Sequence, residues 1–195
     1  MYGWDIDPEA IRRCVQNLNQ LVQPLGVEVR WNIRQVQWNI YQADAIKKIE
    51  STLSAKARHP AFDFIVGNPP YIRIQHLDEQ QRRYIQKYYR FCKSGSTDMY
   101  IAFFELCLAL LSHRGVCGLI TPNTYFYTAT AKALRDHFVP RKHQTLIKKI
   151  TNYGQIQLFD KATTYSAITI FSKKRTKSFC LRASPRQTSI LLPPG

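Results

Sequence analysis

The stretch Phe62-Asp63-Phe64-Ile65-Val66-Gly67-Asn68-Pro69-Pro70-Tyr71 decides how the rest of this chain is read. Residues 62–66 form a short apolar run. A run of that length, bounded by turn residues, reads as a strand covered on both faces. The run stops at a glycine, an amide and two prolines. Two consecutive prolines fix φ twice and remove two backbone donors, so the chain must leave the sheet in a stiff loop.

That loop has a definite chemical character. The carbonyls of Asn68 and Pro69 are held in place and can accept hydrogen bonds, and the Asn68 side chain adds another acceptor. Tyr71 offers a flat face against which a base can stack, a contact worth about 1–3 kcal/mol. Together they suit an exocyclic amino group. Its two N–H bonds donate to Asn68 Oδ1 and the Pro69 carbonyl, which turns the nitrogen lone pair toward a methyl donor while Tyr71 holds the ring.

Working outward, helices and strands alternate. Upstream, residues 2–6 are short and apolar and end on acid. Asp7-Pro8-Glu9 starts a helix: Asp7 caps it, Pro8 suits the first turn and Glu9 meets the dipole. Ala10, Ile11, Cys14, Val15, Leu18 and Leu21 then recur at helical spacing, and Pro24 and Gly26 end the helix. Residues 27–40 read as β-rich, and 45–57 as a short helix or connection. Downstream, 78–91 read as a charged helix. Thr97 or Asp98 opens an apolar helix through Leu111. Residues 115–121 read as a buried strand, 129–138 as a helix, and 146–153 and 165–172 as strands. From Lys173 the periodicity is lost, so the chain divides into a domain over 1–172 and a basic, flexible tail over 173–195. Such alternation predicts an α/β domain with a mostly parallel sheet, whose ligands bind beyond the carboxyl ends of the strands. Three features fall there: Asp5, Asp44 and the Asn68–Tyr71 loop. Asp5 suits vicinal ribose hydroxyls. Ile6 suits packing on an adenine face, and Asp44 suits an adenine amino group.

These residues resemble the N6-adenine DNA methyltransferases of bacterial restriction–modification systems, in the subgroup that includes the fused type IIG enzymes. Gly3-Trp4-Asp5-Ile6-Asp7-Pro8 resembles the second cofactor motif, and Ala43-Asp44-Ala45 the third. The stretch from Phe62 through Tyr71 to Ile72 resembles the catalytic motif and is the most specific match. Asp98-Met99-Tyr100-Ile101-Ala102-Phe103-Phe104-Glu105 resembles the helix that follows it. Residues 115–121 with Pro122-Asn123 resemble the next strand and its loop. Leu158-Phe159-Asp160, followed by Tyr165 through Phe171, resembles the segment whose aromatic side chain stacks on an extruded base.

The resemblance implies a Rossmann-like, S-adenosylmethionine-dependent methyltransferase fold with a C-terminal antiparallel hairpin. It implies transfer of a methyl group to the N6 amino group of an adenine flipped out of DNA. Asn68, Pro69, Pro70 and Tyr71 would be catalytic, with Tyr71 and Phe159 stacking on the target. Asp5, Ile6, Asp44, Ala45 and Asn68 would hold the cofactor.

The family's first cofactor motif, a glycine-containing loop after the first strand, is not matched. Asp5 lies where about twenty residues should precede it. In family topology that strand lies between the strands ending at Asp5 and Asn68. The expectation is therefore a gap in the sheet, and a chain that is a fragment or truncated product whose partners include the missing N-terminal portion, a specificity domain or a subunit. No nuclease-like acidic motif is found, so cleavage is not expected.

The charge bears on the partner. The 195 residues include 28 Lys and Arg against 13 Asp and Glu, a net +15. Residues 121–195 hold 13 basic and 2 acidic residues, whereas residues 1–67 hold 8 and 7. A surplus of this size predicts a polyanionic partner. The excess is expected to follow the loop toward the DNA side. Five widely spaced cysteines without a C-x-x-C pair argue against a disulfide framework and against a zinc site. With no long apolar segment, a soluble cytoplasmic protein without membrane contact is expected. Two other functions stay open. One is a methyltransferase acting on RNA adenine or a protein glutamine amide, where the amino-group geometry is the same. The other is a remnant that binds DNA without catalysis.

Overall fold

The computed structural model describes residues 1–22, 38–53, 61–93, 96–139, 144–158, 165–178 and 180–183. They form two compact units, Met1–Lys48 and Ile49–Gly195.

In the first unit β1 (Tyr2–Asp5) pairs in parallel with β2 (Asn39–Gln42), and α1 (Pro8–Val22) joins the strands on the sequence side of Asp5. The helix starts as its residues dictate. Asp7 Oδ1 accepts the Glu9 N–H at 2.9 Å, and Glu9 lies in the first turn. Its apolar positions are only half covered; none is fully buried. Of the β-rich reading over 27–40, residues 27–37 lie outside the described residues; the strand falls at its end.

The first unit ends with a 3-10 turn, Ala45–Lys48; the second holds α2 (Ile49–Leu53), β3 (Phe62–Gly67), α3 (Glu79–Tyr88), α4 (Met99–Leu110), β4 (Leu111–Pro122), α5 (Lys132–Phe138), β5 (Thr145–Asn152), β6 (Ser166–Thr176) and β7 (Cys180–Ala183). The sheet order is β3-β4-β6-β5-β7. β3 and β4 are parallel, as are β5 and β7, while β6 runs against both its neighbours. This is the expected α/β sheet, mostly parallel, with the antiparallel β5–β6 pair near the end.

The core lies on one face of this sheet. Cys117, Leu119 and Thr121 of β4 and Ala167, Thr169 and Phe171 of β6 are buried there. Helix α4 supplies Tyr100, Phe104 and Leu108 against them; Phe104 stacks on Phe171 with centroids 5.6 Å apart. Helix α4 is apolar nearly all round because it is packed on several sides.

Two expectations are corrected. The run over 62–66 forms a strand, but not one covered on both faces: Phe64 is 82% and Val66 87% exposed. β3 is paired along one edge only, to β4, and β1 and β3 belong to different sheets among the described residues. Among the described residues no strand pairs with its outer edge, and Phe64 and Val66 are left facing solvent. Second, regular structure does not stop at Ser172. β6 continues to Thr176, and Cys180–Ala183 pairs with β5 from Lys149 to Asn152. Basic side chains hid this: Lys173, Lys174 and Arg175 of β6 are exposed, and an exposed strand end can carry such residues without losing its ladder. Residues 184–195 lie outside the described residues.

Candidate active site at the carboxyl edge of the strands

Asn68, Pro69, Pro70 and Tyr71 leave β3 directly after its last ladder pair, Gly67 with Leu119. Pro69 is buried and anchors the loop; Asn68 and Pro70 are exposed. The Tyr71 hydroxyl donates to the Ile120 carbonyl at 3.4 Å, and its other partner is the side chain of Ser166 at the start of β6. Burial pushes the Tyr71 phenol above its ordinary range, against the Ser166 hydrogen bond, so it stays protonated. The hydroxyl thereby ties the ring to β4, the neighbour of β3, and to the start of β6 beyond it.

The chain just beyond is held as firmly. Ile74 N–H donates to the Thr97 carbonyl at 2.9 Å, Met99 N–H donates to the Ile72 carbonyl at 2.8 Å, and Arg73 and Asp98 form an isolated bridge. The segment preceding α4 therefore clamps the loop. Burial raises the Asp98 carboxyl, and the Arg73 charge opposes that shift. At the neighbouring strand end Asn123 donates from Nδ2 to Asn152 Oδ1 at 3.1 Å, and Gly154 N–H donates to the same oxygen. Gly154 turns the chain at a φ of 57°, which favours glycine.

The four cofactor-side residues come together in the first unit. Ala43 N–H donates to the Asp5 carbonyl at 2.8 Å, which sets the ends of β1 and β2 side by side. The Asp5 carboxylate is exposed, and its Oδ1 accepts the Asp7 N–H at 2.9 Å. Asp7 caps the helix, so Asp5 is not consumed by that task. Ile6 presents an apolar surface at 66% exposure. Asp44 is half-buried, and its Oδ1 accepts the Ile46 N–H at 3.0 Å, which caps the turn beginning at Ala45. An exposed carboxylate beside an exposed apolar side chain fits a ribose and an adenine ring. Phe159 lies outside the described residues.

Part of the basic excess lies away from the expected side. β6 runs antiparallel, so Lys173, Lys174 and Arg175 lie at the end of the sheet opposite the Asn68–Tyr71 loop, beside the start of β5. Lys148 Nζ donates to the Lys174 carbonyl at 2.5 Å, and Lys173 Nζ donates to the Ala109 and Leu111 carbonyls at the end of α4. Burial and the nearby Lys174 charge lower the Lys148 ammonium. Sequence position after the loop did not predict position beside it. Sequence reading also passed over Ser166, which contributes to holding Tyr71; a serine at a strand start carries no signal until the strands are paired.

Comparison with known proteins converges on one group. Residues 1–159 match the model of the Eco57I restriction-modification methylase family. The Type II methyltransferase M.BstVI of Geobacillus stearothermophilus is 32% identical over 137 residues, covering 68% of this chain and 23% of that protein. A protein of Listeria monocytogenes described as a class I S-adenosylmethionine-dependent methyltransferase superposes with a TM-score of 0.62 at 16% identity, covering 93% of this chain and 48% of its own. The methyltransferase subunit of a type I restriction-modification system from Streptococcus thermophilus gives 0.58 at 16% identity, covering 90% of this chain and 34% of its own. These structures share the fold. The chain spans about a quarter of the length of M.BstVI and under half of either solved protein.

Proposed function

Because this chain belongs to the Eco57I restriction-modification methylase family, we propose that it carries the amino-group chemistry of a site-specific DNA methyltransferase, acting at N6 of a flipped-out adenine. The observation that carries the reading is the Asn68–Tyr71 loop. It presents an amide oxygen and a proline-fixed carbonyl at a strand end, beside a tyrosine tethered to Ile120 and Ser166.

In this reading Asn68 Oδ1 and the Pro69 carbonyl accept the two N–H bonds of the adenine amino group. Accepting both draws the nitrogen lone pair out of conjugation with the ring. Pro70 keeps the backbone from rotating, and Tyr71 stacks on the base. Phe159 is the proposed second stacking partner. S-adenosylmethionine, when bound, supplies the electrophilic methyl group. Asp5 would hold its ribose hydroxyls, Ile6 and Ala45 its adenine faces, and Asp44 its amino group, with Asn68 next to the reacting end. The net charge of +15 supports a nucleic acid over a protein amide as substrate. DNA and the remainder of a restriction–modification enzyme are the proposed partners. Among the described residues no helix is long and apolar enough to cross a membrane.

Calorimetric titration with S-adenosylmethionine up to near-millimolar concentration tests the cofactor side. Binding heat that disappears in Asp5→Ala is expected. No heat from the wild-type chain would remove catalysis by this chain and favour the second reading, DNA binding without transfer.

A further inference from the structure

Two tyrosines that the proposed chemistry does not use stand beside the Asn68–Tyr71 loop. Tyr165 immediately precedes β6, and the next residue, Ser166, is the hydrogen-bond partner of Tyr71. The Tyr165 carbonyl accepts the Asn123 N–H at 2.9 Å, which fixes its backbone to the end of β4. Its ring is nevertheless 49% exposed. Tyr127 follows the 3-10 turn that leaves β4, and its N–H donates to the Thr124 carbonyl at 3.2 Å. Its phenol lies within electrostatic range of buried Tyr100, whose hydroxyl is 3.1 Å from Thr124 Oγ1. Tyr100 also feels Asp98, which bridges to Arg73 two residues past Tyr71. The Tyr127 ring is 69% exposed.

Both tyrosines therefore have a hydrogen-bonded backbone and an exposed residue surface. A tyrosine retained for packing buries its ring and leaves the hydroxyl outside. Here the backbone is secured and the residues are exposed, at the ends of β4 and β6 beside the loop. The residues bonded to their backbones or next to them in the chain carry amides and hydroxyls: Asn123 and Ser166 at Tyr165, and Thr124 at Tyr127. An exposed aromatic side chain of this kind, with hydrogen-bonding groups beside it, matches bases on an opened strand.

We propose that Tyr127 and Tyr165 are stacking positions for the nucleobases that flank the base held at Tyr71. The proposal rests on the nucleic-acid reading and adds two substrate-binding residues to it. They hold the strand on either side of the target, and because every base has a π-face they do so without choosing sequence.

The full chain is tested with a fluorescein-labelled single-stranded oligonucleotide of mixed sequence, by anisotropy over a range of salt. Tyr127→Ala and Tyr165→Ala should each weaken binding about fivefold to a hundredfold. Tyr127→Phe and Tyr165→Phe should bind within about twofold of wild type, since the ring does the stacking. The slope of affinity against salt should not change, because no phosphate contact is removed. Alanine variants that bind like wild type would overturn the proposal. So would phenylalanine variants as weak as alanine, or a wild-type chain that does not bind. Methyl transfer to DNA with binding indifferent to both tyrosines would sink this inference alone. Tyrosine-dependent binding with transfer to protein instead would sink only the DNA methyltransferase reading.

Discussion

Asn68 and Glu105 are both polar and lie within the same unit, yet they answer to different tests. Asn68 is exposed, so its loss costs the fold little. Asn68→Ala should abolish methyl transfer while leaving DNA affinity intact, because it removes an acceptor at the reacting nitrogen alone. Retained turnover would contradict its role. Glu105 is enclosed. It accepts backbone N–H bonds from Arg90 at 3.2 Å and Phe91 at 3.0 Å, and pairs with Arg90 Nε at 3.3 Å. Burial raises its carboxyl, and those partners hold the shift back. Glu105→Ala leaves two amides without their acceptor and should lower unfolding stability by about 1–3 kcal/mol, read by urea denaturation. Asn68 could be recognised in the sequence because its meaning is local: glycine, amide and prolines in a row prescribe a stiff acceptor loop. Glu105 could not, since its partners lie fourteen and fifteen residues away in a turn that only packing closes.

At the scale of elements, the start of β4 departs from any periodic pattern. Phe62 pairs with Leu111 and Phe64 with Val116, so β4 spends extra residues where β3 begins. Gly115 sits in that excursion. A Cβ there would lie 2.6 Å from the Phe62 carbonyl oxygen and 2.8 Å from Leu111 Cδ2. Gly115→Ala must push backbone apart and should cost about 1–3 kcal/mol, with a lowered thermal midpoint as the readout. β3 gives the opposite case. Phe64→Ser and Val66→Thr should each change stability by no more than about 0.5 kcal/mol, because the side chains already face solvent. Phe171→Ala, from the sealed core, should cost about 3–5 kcal/mol in the same measurement. The strand was legible from its aromatic and branched residues. Its exposure was not, because an apolar run looks the same whether or not a neighbour is there to cover it. Helix α5 carries a pH response. Burial, then Arg90 and Arg175, hold the His137 imidazole below its ordinary value, and Arg90 Nη2 lies 3.3 Å from His137 Nε2. With the folded value below the unfolded one, protonation favours unfolding. Stability is full above the usual value of 6.5 and declines as pH falls through it toward the depressed value. The decline should flatten in His137→Asn.

For the whole molecule, the α/β class was readable from the alternation of elements and the acids at two strand ends. The spatial distribution of charge was not, because strand direction decides it. Of the 13 basic residues in 121–195, Lys173, Lys174 and Arg175 lie on β6, whose antiparallel direction carries them away from the Asn68–Tyr71 end of the sheet. The first unit presents Asp5, Ile6 and Asp44 at adjoining strand ends, and the second presents the acceptor loop and its tyrosine. The most direct test incubates the chain with S-adenosylmethionine labelled in its methyl group, together with duplex DNA, RNA and protein. The nucleic acids are then digested to nucleosides and separated. Label in N6-methyldeoxyadenosine, lost in Asn68→Ala, is the predicted result. Label in another nucleoside, in RNA, in a protein glutamine, or nowhere would contradict the account.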